Sequence, residues 1–492
     1  MKNFKHVLTM IGIAFLLVSC NQNDNNGNGG GEVKDPSPND PVFAKFDGEL
    51  EEGVTIKVVE NDTAIKMGYL DELLDAFNEE YAQYNITAVD ANQGEFADLP
   101  NSGPYGYGPD VVYQANNILM GWVSDKHITP LPLEKLEAYN NNNIPSTAHE
   151  AFKAVMNNVN YTFCVPVNIQ TPLLYYRQDL LPSDWQTTWD DNKNNVPDMV
   201  ENIVDLYEFS KIYHEEDNSK YGFEFSINDF YFSSGYLFTY GGYVFGDNNR
   251  NDEIIGLAEG DAKLGVNVIR QLASLMSAAC EDDSAKLAIS GAMASGKYFA
   301  SVTTPDVRSV IVDALSKQYQ SEGMSLEEAQ NKANENIIGV PFPDLPANGD
   351  LENPSEEMVP CKQMGGINGY AISSYTKCPN AALAFVNFAT SYKMIKLREQ
   401  MLQIAPCRSD VASESTDLSK QLFERVQDGL TVLMPSIKAT NQIWSPAGSF
   451  MADVAADPKR DPSKMKYDTL DKIQTGLEKL SSDIYNAIHL LN

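Results

Sequence analysis

The chain predicts an α/β fold, and three observations carry that prediction. Val54-Thr55-Ile56-Lys57-Val58-Val59 is a β-branched, strand-like run. Behind it Leu70, Leu73, Leu74, Phe77, Tyr81 and Tyr84 recur at three- and four-residue steps, the spacing of one helix face. The order then repeats. Ile86-Thr87-Ala88-Val89 and Pro109-Asp110-Val111-Val112-Tyr113 read as strands, and a short helix runs from about Asn117 to Ser124. Strands alternating with helices imply a parallel-type layer.

The remaining elements follow in order. Thr162-Phe163-Cys164-Val165-Pro166-Val167 and Leu173-Leu174-Tyr175-Tyr176 are strands. Leu264, Val268, Leu272 and Leu275 set one face of a helix between Asp261 and Ala279. Ala285 to Ser295 is helical and stopped by Gly296, with a strand at Tyr298 to Val302. Ser325 followed by Glu328 is a capping box for a helix to about Asn336. Ile337-Ile338-Gly339-Val340 and Gly369-Tyr370-Ala371-Ile372 are strands, and Pro379 opens a helix carrying Ala382, Phe385, Val386 and Ala389. Leu470, Ile473, Leu477, Leu480, Ile484 and Ile488 define a closing amphipathic helix. No internal repeat of solenoid length is present.

The first twenty residues read differently. Lys2 and Lys5 precede the apolar run Val7 to Val18, which is too short to span a bilayer, and Leu17-Val18-Ser19-Cys20 ends it. Residues 1–20 thus read as a secretory signal peptide. The terminal pattern resembles a bacterial lipobox, in which Cys20 is acylated and becomes the first mature residue. The alternative is an ordinary signal peptide with a chance cysteine. Residues 21–42 are rich in Asn, Gly and Pro and read as a flexible tether, reaching roughly 25 Å on average. The expected location is the outer side of the cytoplasmic membrane, or the periplasm where an outer membrane exists, held only through the lipid.

Roughly 470 residues remain beyond the signal, enough for two to three domains. Thirty-six Lys and Arg stand against 68 Asp and Glu, a formal charge of -32. That excess argues against nucleic acid and anionic lipid as partners and favours a neutral or cationic ligand. Besides Cys20 there are five cysteines, an odd number without a C-x-x-C, which suggests buried thiols with at most a Cys361–Cys407 disulfide. No cofactor, metal site or catalytic residue is read. The five histidines are scattered, and Gly291 to Lys297 mimics a P-loop but continues with Tyr298 and follows a helix. Gly246 to Asp252 only faintly resembles a calcium loop and reads as a polar turn. Carboxylates are too abundant to single out a glycosidase pair.

The strongest local signal is aromatic: Phe230-Tyr231-Phe232, Tyr236, Phe238, Tyr240 and Tyr243. Aromatic plates beside Asn, Gln and Asp suit a sugar, which has apolar C–H faces and a rim of hydroxyls. Asn116, Asn117, Asn168, Gln170, Asn228 and Asp229 lie at expected strand ends, where open α/β sheets take ligands.

These segments, in order, resemble the bacterial extracellular solute-binding proteins of the maltose-binding type. The resemblance rests on Pro109-Asp110-Val111-Val112 with Gly121-Trp122. It continues in Pro166-Val167 through Tyr175-Tyr176-Arg177-Gln178-Asp179-Leu180-Leu181-Pro182 to Thr188-Trp189. Further matches are Tyr231-Phe232 to Gly241-Gly242-Tyr243, Gly296-Lys297, Gly339-Val340-Pro341, Gly369 to Ser373, Pro406-Cys407-Arg408, and Met434-Pro435-Ser436-Ile437 leading to Trp444. It implies a type II periplasmic-binding-protein-like fold: two α/β lobes, 43–168 plus 366–415 and 170–363 plus 420–492. Three chain crossings join them near Asn168–Leu173, Gln363–Gly369 and Thr416–Arg425.

The resemblance also implies a monomeric binder, not an enzyme, that captures an oligosaccharide such as maltodextrin by hinge closure and hands it to ABC permease subunits. Tyr231 and Trp444 resemble the family's sugar-stacking positions, and Asp229 keeps a carboxylate there. Elsewhere the chain departs from the maltose binders. Gln114 and Asp306 stand at tryptophan positions, Asn117 and Gln170 at carboxylate positions, and Ile118 and Gly448 at arginine positions. The stretch Asp306 to Asn336 exceeds the family length and reads as an added helix pair near the cleft. A secreted carbohydrate-active hydrolase is the alternative.

Overall fold

A computed structural model describes residues 33–490. The signal-peptide and Cys20 readings, and the tether as far as residue 32, lie outside the described residues. The tether's last part is docked: Lys34 pairs with Val159, and the Tyr161 hydroxyl donates to Asp40 at 2.7 Å. Lys34 and Asp40 are therefore held against the body and do not belong to the flexible tether expected as far as residue 42.

Ten strands build two sheets: β1 Thr55–Val59, β2 Thr87–Asp90, β3 Val111–Ala115, β4 Cys164–Gln170, β5 Leu173–Arg177, β6 Tyr221–Phe223, β7 Tyr298–Thr303, β8 Ile337–Val340, β9 Gln363–Ile372 and β10 Thr431–Leu433. The first sheet has the order β10-β9-β3-β1-β2, with β4 also on β9; the second has β8-β5-β7-β6. The expected parallel-type layer is present only in part. β1 runs parallel to β2 and β3, but β9 is antiparallel to β3 and β4. The sheet is mixed because β9 arrives from the second sheet's side, not through a βα crossover.

β9 explains how two sheets become one molecule. All ten of its residues are buried. Its first three pair with β10 and the rest with β4 and β3. Gly369 is required where β4 approaches: a Cβ there would sit 2.4 Å from the Val165 carbonyl oxygen and 2.5 Å from the Cys164 sulfur. β4 leads directly to β5 of the second sheet, so β4 and β9 are two adjacent crossings. At the third, the expected span 416–425 is a helix, Asp417–Gln427, capped by Thr416. Leu422 and Val426 bury in the first core, and the chain crosses afterwards, through Gly429 into β10.

Buried apolar residues form two clusters. One packs Ile56, Val58, Leu73, Phe77 and Val112 around the first sheet. The other packs Leu206, Phe209, Phe230, Leu237, Ile269, Leu477 and Ile484 around the second. The first cluster continues through Leu173 and Tyr175 of β5 into Ile311, Leu315 and Tyr319. Those last three lie on Arg308–Ser321, which with Leu326–Asn336 forms the expected helix pair, capping box included.

Other differences have local causes. The Asp261–Ala279 helix stops at Ala273, and Ser277 caps a separate turn at Ala278–Glu281. Gly246 to Asp252 is a polar turn with Asp247, Asn248 and Asn249 at positive φ. Gly296, at φ 71°, ends the Ser284–Ala294 helix ahead of β7. Cys361 and Cys407 do not pair. They sit in different clusters, and all five cysteines described are free and buried.

The second core holds one buried carboxyl without a full complement of partners. Glu224 is 0 % exposed; its Oε2 accepts the Ser277 N–H at 2.8 Å and its Oε1 has no partner. Burial pushes this carboxyl from 4.5 up to about 7. The folded state thus keeps a proton that the unfolded chain releases, so this group's contribution falls as pH rises from 4.5 to 7. Glu224→Gln removes the titration. Chemical denaturation should show the native chain losing up to about 3 kcal/mol across that window relative to the variant.

Candidate functional site

Three of the sequence-predicted residues, Gln170, Asp306 and Tyr231, meet at the first crossing. Gln170 ends β4, and its Nε2 donates to the Asp306 carboxylate at 2.9 Å. Asp306 sits in a tight turn, Pro305–Val307, at the end of β7. The Tyr231 hydroxyl donates to the Gln170 carbonyl oxygen at 3.0 Å. Burial, and then the charges of Asp306 and Asp229, hold that hydroxyl well above its usual range, so it stays protonated.

Asp229 is where it is because it caps the aromatic helix Phe230–Thr239, accepting the Tyr231 N–H at 3.2 Å. Its other oxygen accepts from Lys286 at 2.9 Å. Burial opposes the Lys286 charge, but Asp229 and Asp283 more than offset it and raise its pKa. The Asp229 charge is thereby neutralised locally. Sequence reading did not include Lys286, whose position on a separate helix, Ser284–Ala294, gives no signal beside Asp229.

Gln114 lies on β3 opposite Gly369, while Gln170 lies on the other flank of β9 opposite Gly366. Asn116 and Asn117 open the helix Asn116–Ser124 directly after β3. Asn116 ties that helix to the third crossing, donating to the Met434 carbonyl at 3.1 Å and to the Ser436 hydroxyl at 2.6 Å. Two buried amide oxygens, Asn117 Oδ1 and Asn228 Oδ1, have no donor among the described residues. Buried acceptors are ordinarily paired.

Trp444 begins the helix Trp444–Ala456 and is half-buried against the second core. No hydrogen bond or ring pair among the described residues links it to Tyr231 or Asp306. Its relation to the set is through Gly448, one turn on, whose Cβ would meet the Asn228 carbonyl oxygen at 2.8 Å. A Cβ there would push against that backbone oxygen, so a side chain at 448 needs a local shift. Ile118 is 40 % exposed.

A cavity of about 740 Å³ lies beside this set and shares Asn116 with it. Its walls are otherwise different: Met120, Val123, Leu433, Met434 and Ile437 supply apolar surface. Two ion pairs stand at it, Arg250–Glu150 at 3.1 Å and Lys438–Asp125 at 2.7 Å. It is a neighbour of the predicted residues and not the place where they converge.

The set offers amides, hydroxyls and aromatic rings, with its charged members paired or hydrogen-bonded. Such a surface bonds polar, uncharged ligands.

Comparison with known proteins agrees with this architecture. A Galactooligosaccharide-binding protein of Bacillus subtilis (strain 168) is 23 % identical over 378 residues, 74 % of this chain and 77 % of that protein. A Maltooligosaccharide ABC transporter solute-binding lipoprotein of Streptococcus pneumoniae serotype 4 is 23 % identical over 297 residues, 60 % of this chain and 61 % of that one. In structure, the maltose complex of the maltose-binding periplasmic protein MalE from Listeria monocytogenes superposes with a TM-score of 0.64 at 19 % identity, covering 89 % of this chain and 98 % of that one. The two-lobe fold is therefore shared. The profile of the family described as bacterial extracellular solute-binding protein matches residues 61–395, and the chain belongs to that family.

Proposed function

We propose that this protein is the ligand-capturing component of a carbohydrate ABC importer, binding an oligosaccharide of the maltodextrin type and releasing it unaltered. The observation that supports this most is the meeting of Tyr231, Gln170 and Asp306, together with the unpaired amide oxygens of Asn117 and Asn228. Sugar hydroxyls are the donors those oxygens lack. Gln114 adds a further amide, and Trp444 supplies an apolar plate for a sugar face. Asp229, neutralised by Lys286, fixes the aromatic helix.

The lobes in this reading are 43–168 plus 366–415 and 170–363 plus 420–492. A ligand touching both favours the closed arrangement by the extra contacts it makes there. Closure about a few crossing residues is an established way for such proteins to hold ligand. The closed, loaded monomer is then the form that permease subunits receive. Among the described residues no helix is long and apolar enough to cross a membrane. In this reading the anchor is the lipid on Cys20. Cys20→Ala should release the protein from membranes, read by cell fractionation, with ligand affinity unchanged.

Calorimetry with maltooligosaccharides and galacto-oligosaccharides tests the ligand class. Useful capture corresponds to roughly micromolar affinity, about -8 kcal/mol. Binding of the galacto series alone would replace the maltodextrin assignment with another sugar. No saccharide tighter than about millimolar would end the carbohydrate reading. The same mixtures, analysed after incubation for shortened chains, separate a binder from a hydrolase.

A further inference from the structure

Between Trp189 and the short helix Asp198–Glu201 the chain reads Asp190-Asp191-Asn192-Lys193-Asn194-Asn195-Val196-Pro197-Asp198-Met199-Val200-Glu201. With Asp190 as position 1, side-chain oxygens fall at positions 1, 3, 5, 9 and 12: Asp190, Asn192, Asn194, Asp198 and Glu201. The backbone carbonyl of Val196 takes position 7. This is the register in which a twelve-residue loop presents oxygen ligands to Ca2+. Position 6, where such loops use glycine for a sharp turn, is Asn195 at φ 63°. Asparagine is one of the few residues that accept that conformation.

The loop brings these positions together. The Asn192 and Asn194 amides both donate to Glu201, at 3.0 and 2.8 Å. The backbone N–H groups of Asn194 and Asn195 reach Asp190 at 3.0 and 3.2 Å. Asp198 accepts the Asp191 N–H at 3.0 Å.

A separate observation concerns charge. Asp190 is 6 % exposed, and no Lys, Arg or His nitrogen among the described residues forms an ion pair with Asp190, Asp191, Asp198 or Glu201. Buried carboxylates are ordinarily paired with a cation or held on a metal. Among the described residues no cation pairs with Asp190, Lys193 of the loop included. Nor do the carboxylates alone make a metal-holding group: no cluster of three or more His, Cys, Asp and Glu suited to a metal occurs among the described residues. A site here needs the amides and the carbonyl as well, as an oxygen loop of this register provides.

We propose that Asp190–Glu201 is a calcium-binding loop. Its ligands are the side-chain oxygens of Asp190, Asn192, Asn194 and Asp198, the Val196 carbonyl and both oxygens of Glu201. An all-oxygen set with a bidentate carboxylate suits Ca2+ over Mg2+, which demands a smaller octahedral shell, and over Zn2+, which prefers nitrogen and sulfur. The ion's effect is on the second lobe. Asn202, next to Glu201, caps the long helix Ile203–Glu216. The same junction is tied to Asp344 by backbone bonds of 2.7 and 3.0 Å. Calcium fixes the entry to that helix and stabilises the lobe, and none of the proposed sugar contacts lies in the loop.

The test uses the full mature chain stripped with EDTA. Titration with CaCl2 in a calorimeter should show one Ca2+ per chain with half-saturation at about 10⁻⁴–10⁻³ M, the range of extracellular calcium modules. The melting temperature should rise with Ca2+ and much less with equal Mg2+. Glu201→Gln and Asp190→Asn should each lose at least about tenfold in Ca2+ affinity, while Glu253→Gln, outside the loop, should bind normally. No heat and no thermal shift up to about 10 mM Ca2+, well above that range, would overturn the proposal. So would loop variants that bind as tightly as the native chain. Where a variant fails to fold, terbium luminescence sensitised by Trp189 in the native chain decides. Emission displaced by Ca2+ supports the site, and absence of sensitised emission overturns it.

Discussion

Arg398→Met is expected to destabilise the protein by about 3–5 kcal/mol, the largest single effect foreseen outside the ligand site. Arg398 is 1 % exposed and Glu60 2 %. The guanidinium grips the Glu60 carboxylate with both terminal nitrogens, at 2.6 and 3.2 Å. It also lies over the rings of Tyr69 and Tyr113, 4.8 and 4.2 Å from their centroids. Burial opposes its charge, but Glu60 and the surrounding tyrosines outweigh that and raise its pKa well above the usual value. Removing the arginine leaves Glu60, which also accepts from the Tyr370 hydroxyl, as a buried carboxylate with no cation. Urea denaturation measures the loss. The double variant Arg398→Met with Glu60→Gln should recover much of it, because the buried charge is gone. A single variant as stable as the native chain would show that the pair contributes nothing. The pair bears on function because Tyr113, packed on Arg398, donates its hydroxyl to Asn168 in crossing strand β4. The first sheet and the hinge share this polar core.

Trp444→Ala is expected to weaken saccharide binding by about 1–3 kcal/mol, or roughly 5- to 150-fold. An indole offers a flat apolar face to sugar C–H groups, and a methyl group does not. Trp444 is half-buried against the second core, so truncation also removes packing. Trp444→Phe separates the two effects, since it keeps a ring and should retain most of the affinity. Calorimetry with the best-bound saccharide reads both variants. Unchanged affinity in the alanine variant would mean that the plate lies elsewhere, with Tyr231 the other aromatic candidate.

The fold was legible where local signals agree with tertiary packing. The strand at Val54 to Val59, the Ser325–Glu328 box and the Leu470 helix stand close to their predicted limits, while the helix expected from Leu70 to Tyr84 ends at Glu80 and Ala82–Tyr84 forms a separate turn. Strand direction was not legible, because nothing in Gly369 to Ile372 reveals that β9 comes from the opposite side. Helices Ile203–Glu216, Tyr392–Leu402 and Asp417–Gln427 were passed over. Their buried faces mix apolar with polar residues, including Ser210, Arg398 and Ser419, which blurs the period.

The candidate site was legible as residue types and only partly as an arrangement. Gln170, Asp306 and Tyr231 do meet, but the Asp229–Lys286 pair joins segments far apart in the chain. The Asp190–Glu201 register was open to sequence reading. Its signal is weakened because asparagine replaces the loop glycine at position 195.

The central claim is that two lobes close over an uncharged oligosaccharide and release it intact. Small-angle X-ray scattering with and without ligand tests it most directly. The account predicts a more compact particle with a maltooligosaccharide, reversed on dialysis, with the sugar recovered at its original length. Profiles identical with every saccharide tried, alongside compaction by an amino acid, peptide or other charged solute, would contradict it.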